Sequence, residues 1–206
     1  FILPFSHDEV VHGKKSLINK MPGYYEDKFA NLKSLLTYMI CHPGKKLTFM
    51  GTEIAPFTEW NENIELEWFL LDFPIHKSFN EFVKKMNRLY LKEEALWIKD
   101  KSWEGFQWID SENHIQKVIS FVRIGEKSKL LIIINFSEFN YQGFWLGVPD
   151  SGIYNLHFNS DASEYGGKNY KVKKTIKSQE KEVHGCKYGV NINIPAFSAL
   201  IYKIRM

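Results

Sequence analysis

Near the start of the chain, the stretch SHDEVVHGK places His7, Asp8 and Glu9 side by side after Ser6, with His12 three residues further on. Side chains of this kind can ligate a metal, cap backbone groups in a turn, or hydrogen-bond the hydroxyls of a polar substrate. The first option uses the E-x-x-H spacing of Glu9 and His12, which suits iron or manganese in carboxylate helix bundles. Such a site needs further carboxylates on neighbouring long helices, and none are in view. His7 and His12 are five apart, so a helix would not present them on one face. No metal is expected. A solvated loop whose short polar side chains cap their own backbone is the plainest alternative.

The third option is a sugar site. A carboxylate beside a His at the end of a strand can bind ring hydroxyls, and those bonds strengthen as a pyranose flattens toward an oxocarbenium ion. Phe57, Trp60 and Trp68 lie in a second long loop, where flat aromatic faces could stack on sugar rings. Core packing accounts for each of them equally well taken singly.

The elements that must position these residues have two grammars. FILPF at 1–5 reads as a short strand, weakened by Pro4. From Lys28, apolar residues recur at helical spacing through Phe29, Leu32, Leu36 and Ile40, until His42-Pro43-Gly44 stops the helix. LTFM at 47–50 reads as a second strand. A second helix is expected from Ser78, where Ser78 and Glu81 have capping-box spacing. The order βαβα is that of a parallel sheet or barrel. Its two βα connections, about 22 and about 27 residues, far exceed the common ~2–6, and both leave the C-terminal ends of their strands, where α/β folds assemble active sites.

Beyond about residue 100 the chain turns to short β-branched and aromatic runs at 106–110, 116–124, 130–135, 141–147, 152–158, 190–194 and 198–203. Their spacing and turn residues predict an antiparallel β-sandwich. The polar stretch 165–182 reads as a mobile loop. Two domains are therefore expected, 1–100 and 101–206.

At 206 residues and 44% hydrophobic content the chain can bury a real core. A net charge of +3, with only Arg88, Arg123 and Arg205 as arginines, gives no nucleic-acid footprint. Cys41 and Cys186 form neither a disulfide framework nor a metal spacing, so a reducing, cytoplasmic home is expected. No apolar run long enough for a membrane span is present. The first residue, Phe1, falls inside the expected strand, which suggests that the chain is the tail of something longer.

The residues also resemble a known family. FSHDEVVHGKKSLINKMPG is similar to the fourth conserved region of the α-amylase superfamily, in the form found in bacterial 1,4-α-glucan (glycogen) branching enzymes. The resemblance continues through KFANLKSLLTYMICHPGKKLTFMGTE, EWNENIELEWFLLDFPIHKSF, GFQWID, FNSDASEYGG and IPAFSALIY, in order along nearly the whole chain. It implies the C-terminal part of a (β/α)8 barrel, two strand–helix units, followed by an all-β domain. It implies that Asp8 is the carboxylate that binds sugar hydroxyls and stabilises the transition state, and that His7 contacts the same sugar. Trp60 and Asn61 are further expected substrate contacts, and Glu53, after LTFMG at the end of the second strand, is either structural or a substrate-subsite contact. The implied partner is an α-glucan such as glycogen or amylose, with no cofactor, nucleic acid or membrane.

Retaining glycosyl transfer needs a carboxylate nucleophile and a carboxylic acid about 5–5.5 Å apart. The family carries these on earlier barrel strands, and neither motif occurs in this sequence. Where the family reads close to FMG-G/N-E-F-G/A-Q, this chain reads FMGTEIAPFTEWN, with Thr52, Ile54 and Pro56 in place of common residues. The expectation is a chain that contributes to a glucan-branching site and does not catalyse branching alone. A non-catalytic glucan-binding module, using Trp103, Trp108, Trp145 and Tyr165, is the competing reading, together with membership of another α-amylase-superfamily hydrolase.

Overall fold

A computed structural model describes residues 5–205. Helices come first, α1 (Leu17–Lys20), α2 (Tyr25–Cys41) and α3 (Pro74–Lys92), followed by nine strands from Phe106 onward. Strands β1 (Phe106–Asp110), β2 (Val118–Ile124), β3 (Lys129–Asn135), β9 (Ser198–Arg205), β5 (Ile153–Asn159) and β6 (Thr175–Lys177) form a six-stranded sheet in the order β1-β2-β3-β9-β5-β6. A three-stranded sheet, β4-β8-β7, combines β4 (Tyr141–Val148), β8 (Cys186–Ile194) and β7 (Gln179–Val183). Every recorded pairing is antiparallel.

The larger sheet is the middle of three layers, and strand periodicity explains how. In β3 all of LLIII is buried. Because alternate side chains point to opposite faces, Leu131 and Ile133 join the sandwich interior with Leu146, Val190 and Tyr202. Leu130, Ile132 and Ile134 face the other way, into a second core with Phe29, Leu36, Phe79, Phe82 and Met86 of the helices. A continuous apolar run is what a strand covered on both faces requires. The apolar core thus crosses the change of grammar near residue 100.

Polar groups stitch the same seam. Arg123 of β2, with a fully buried side chain, donates to Gly105 O at 3.2 Å, Cys41 O at 2.8 Å and Asp100 Oδ1 at 2.6 Å. Glu93, just past α3, meets His157 Nε2 at 3.0 Å and Lys203 Nζ at 2.7 Å. Its neighbour Glu94 accepts backbone N–H groups from Glu126, Lys127 and Ser128 in the β2–β3 turn.

Several expected boundaries change. The first strand falls mostly on residues 1–4, outside the described residues. Residues 47–50 are not a strand; no described strand lies beside them, and a parallel strand without a ladder partner has nothing to define it. Helix α2 begins at Tyr25, where the Asp27 carboxylate accepts the Tyr24 N–H at 3.3 Å. Helix α3 begins at Pro74 and not at Ser78, because a proline at the first helical position loses no bond and presets φ; Ser78 Oγ donates instead to Ile75 O at 2.9 Å. The stretch 165–182 is not one loop: β6 and most of β7 lie in it, and Tyr165 is buried against Phe82 and Phe158. Its charged composition is that of short edge strands.

Candidate functional site

The turn that carries Asp8 is built by local hydrogen bonds. His7–Glu9 is a single 3-10 turn capped by Ser6, whose Oγ accepts from Asp8 N at 3.2 Å, while the Glu9 carboxylate reaches back to the Ser6 N–H. Glu9 is thereby committed to a capping box and is no free ligand. His7 Nε2 lies 3.3 Å from Asp8 Oδ1, and both side chains are more than half exposed, so the pair is open to an incoming molecule. Lys14 Nζ donates to the Asp8 carbonyl at 2.8 Å, closing the loop beneath it.

The following residues adopt unusual backbone. His12, Gly13 and Lys15 have φ of 59°, 79° and 68°, a left-handed region that costs non-glycine residues energy. Two N–H groups of this curl point at one carboxylate: Gly13 N donates to Glu59 Oε1 at 2.6 Å and Lys15 N to Glu59 Oε2 at 2.9 Å. These donors, Gly13 first and Lys15 second, hold the Glu59 carboxyl below its usual range; nearby His12 and Lys20 act in the same sense, and burial opposes it. Trp60 N then donates to Val10 O at 3.2 Å. Ser16 and Asn19 side chains both donate to Phe57 O. Two segments roughly fifty residues apart are zipped together.

Between them lies a cleft of about 410 Å³ lined by His7, Val11, His12, Glu59, Trp60, Asn61 and Glu62. Phe49 packs against two of its lining rings, 6.1 Å from the His7 ring and 5.1 Å edge-on to Trp60. Asn61 is exposed and fixed in a turn by Asn63, whose N–H donates to Asn61 Oδ1 at 2.9 Å. His7, Trp60 and Asn61 thus line one cleft, whereas Asp8 is not among its lining residues and stands beside it through its contact with His7.

Glu53 sits elsewhere. It occupies a 3-10 turn, Thr52–Ile54, between left-handed Gly51 and Ala55, and its carbonyl accepts from Asn80 Nδ2 at 3.1 Å; it is not part of the cleft wall. Phe57 stacks on Tyr25 with ring centres 5.6 Å apart, and Trp68 is half-exposed on a separate 3-10 turn. Among the described residues no three His, Cys, Asp or Glu side chains gather as a metal would need. Glu59 and Phe49 are the residues that sequence reasoning missed. Glu59 could have been suspected as the acid next to Trp60, whereas Phe49 was absorbed into an expected strand.

A second cleft, about 480 Å³, lies at the seam, lined by His42, Pro43, Asp100, Lys101, Ser102, Trp103, Phe106 and Trp108. Of the other aromatics considered for binding, Tyr165 is buried and the Lys181 ammonium covers the Trp145 ring at 3.7 Å.

Residues 108–205 match the alpha amylase C-terminal all-beta domain. Over 205 residues, 98% of the chain, the sequence is 46% identical to the 1,4-alpha-glucan branching enzyme GlgB of Desulfitobacterium hafniense and 47% identical to that of Bacillus cereus. The chain spans 32% of the length of these relatives. Among solved structures, an alpha-amylase of Geobacillus thermoleovorans complexed with acarbose superposes with a TM-score of 0.58 at 17% identity, covering 86% of this chain and 34% of that one. The cyclomaltodextrin glucanotransferase CldA gives 0.56 at 15% identity, covering 88% and 33%. These two likenesses are likenesses of fold. Among the described residues no helix is long and apolar enough to cross a membrane.

Proposed function

We propose that this chain, which matches the alpha amylase C-terminal all-beta domain over residues 108–205 and is 46–47% identical to bacterial branching enzymes over 32% of their length, supplies one of three carboxylates to a 1,4-α-glucan branching site. Residues 1–100 are the last two units of a (β/α)8 barrel in this reading, and residues 101–206 the all-β domain. The observation that carries the reading is the convergence of His7, Trp60 and Asn61 on one open cleft, with Asp8 3.3 Å from the His7 ring nitrogen.

In the reaction, a carboxylate nucleophile attacks the anomeric carbon of an α-1,4 link while a carboxylic acid protonates the departing oxygen. The glycosyl-enzyme is then opened by the 6-hydroxyl of another glucan, whose proton returns to the acid–base group. Nucleophile and acid motifs are not among these 206 residues. Asp8 accepts hydroxyls of the sugar at the cleavage point, bonds that shorten as positive charge builds on the ring. His7 donates to the same sugar, Trp60 offers an apolar ring face, and Asn61 an exposed amide at the rim. Glu53 acts through the backbone of its turn. Free Cys41 and Cys186 are at home in a reducing cytoplasm.

The test is amylose–iodine branching in the longer polypeptide that the reading requires. Asp8→Asn should lower the rate by about 10²–10³-fold, the size of losing one preorganised transition-state contact, with no loss of fold by circular dichroism. New α-1,6 links should appear without a rise in reducing ends. The 206-residue chain alone should leave iodine absorbance unchanged. Full activity in Asp8→Asn would sink the proposal.

The cleft around Trp103 and Trp108 favours a second reading, glucan capture by a non-catalytic module. Maltoheptaose binding that survives Asp8→Asn and is lost in Trp108→Ala would support it.

A further inference from the structure

We propose that Glu59 is a positioning residue that fixes the turn bearing His7 and Asp8 against the wall bearing Trp60 and Asn61. The inference rests on the reading above, that the cleft takes α-glucan.

The geometry separates Glu59 from an ordinary surface acid. Both of its carboxylate oxygens are occupied by backbone N–H groups, from Gly13 at 2.6 Å and Lys15 at 2.9 Å, in a segment more than forty residues away. Those two amides converge because His12, Gly13 and Lys15 are left-handed, the concave backbone arrangement that binds anions. The anion here is a side chain of the protein itself. It offsets the backbone strain of His12 and Lys15 and closes a ring: His7–Asp8 turn, His12 curl, Glu59 clamp, Trp60 wall. The ring is completed by Trp60 N donating to Val10 O at 3.2 Å. Among the described residues no backbone N–H group reaches the carboxylate of Glu62, the other acid lining the cleft.

A glutamine in this place has the same shape and cannot do the same work. Its amide has one acceptor oxygen, so its NH₂ must face one of the two N–H donors. The curl and the wall are then free to separate, and a displacement of about 1 Å between contact groups is enough to cost binding and rate heavily.

The test compares Glu59→Gln, Asp8→Asn and Glu81→Gln in the longer branching polypeptide, with amylose as substrate. Glu81 is an exposed acid on α3 paired with Lys84 and lies outside the cleft. Glu59→Gln should raise KM for amylose about tenfold and speed amide exchange at Gly13 and Lys15, while Glu81→Gln matches the parent. Partial unfolding would lower apparent kcat and leave KM alone, so that pattern overturns the positioning role. A KM within twofold of the parent, alongside an inactive Asp8→Asn, also overturns it and leaves the functional reading standing. Full activity in Asp8→Asn overturns the functional reading and this inference with it.

Discussion

Asp100→Ala probes whether the helical part and the β-domain are held as one body. Among the described residues Asp100 is the one carboxylate bonded to Arg123, whose guanidinium also serves the carbonyls of Gly105 and Cys41. Cys41 is the last residue of α2, and its carbonyl has no acceptor role within the helix. Removing the carboxylate leaves a fully buried cation with two neutral acceptors and no counter-charge. Losing one partner of a buried pair costs about 3–5 kcal/mol. The lower end applies here because Asp100 Oδ2 has no partner of its own, so the intact pair is not fully repaid for its desolvation. About 3 kcal/mol in a chain of this size lowers the melting temperature by about 6–12 °C. The assay is urea and thermal unfolding followed by tryptophan fluorescence and far-ultraviolet circular dichroism. Arg123→Met alone should cost a similar amount, and the double variant less than the sum by at least about 1 kcal/mol, since the two charges are then removed together. A shift under 2 °C for Asp100→Ala (well below the ~6 °C expected), or an additive double variant, would refute the argument that this pair ties the seam.

Two further predictions concern pH. Burial opposes ionisation of Glu94, but the N–H groups of Lys127, Glu126 and Ser128 and the Ser128 hydroxyl outweigh it and hold the carboxyl below its usual range. A depressed carboxyl contributes stability above its unfolded value and loses it as pH falls through the folded value, so acid unfolding should begin below about pH 4.5 and Glu94→Gln should flatten that limb; identical acid limbs would count against it. Lys33, buried and donating to Tyr165 O at 2.8 Å, is pushed down to about 8 from 10.5, by burial and against the pull of Asp161. Between those values the unfolded chain binds a proton that the folded chain does not, so stability rises with pH across that window, by up to about 3 kcal/mol from this group. Lys33→Met should remove that part of the rise, Lys46 keeping its own, and should be at least as stable at pH 7; a loss above about 2 kcal/mol there would show that the charged amine is needed.

The strand pattern of the second half is legible wherever a strand carries its own apolar signal. IIIN at 132–135 and LIYK at 200–203 are buried runs between turns, and the structure pairs Ile132 with Ile201. Strands β6 and β7 were hidden because edge strands carry charge instead of hydrophobic runs; QEKEV at 179–183 reads as loop until its partner β8 is known. Residues 47–50 failed in the opposite direction. Their composition suits a strand, but strand identity is a property of a pair. In the cleft, His7, Trp60 and Asn61 could be named from residue type and resemblance. The Glu59 clamp could not, because the left-handed φ of His12 and Lys15 leaves no mark on residue type, and a carboxylate's partner forty residues away is set by loop path alone. Glu53 shows the same limit: its place after FMG suggests a site residue, and the structure puts it on a 3-10 turn that does not line the cleft.

The cleft's walls are irregular loops, so their stiffness must come from what stands behind them. A chain of aromatic contacts provides it. Phe57, whose carbonyl is held by Ser16 and Asn19, meets Phe29 at 6.1 Å; Phe29 meets Phe79 at 5.9 Å, Phe79 meets Phe82 at 5.8 Å, and Phe82 meets Phe158 of β5 at 5.9 Å. Large rings at van der Waals contact leave little room for sliding, and interiors packed this densely transmit strain instead of absorbing it. The β-domain lies at the far end of that chain and is also pinned by Arg123, Glu93 and Glu94. Its contribution to a glucan site, on this view, requires no sugar contact of its own. It fixes α2 and α3, the helices fix the ends of the two loops, and the loops meet at Glu59, so that the turn bearing His7 and Asp8 is held against the segment bearing Trp60.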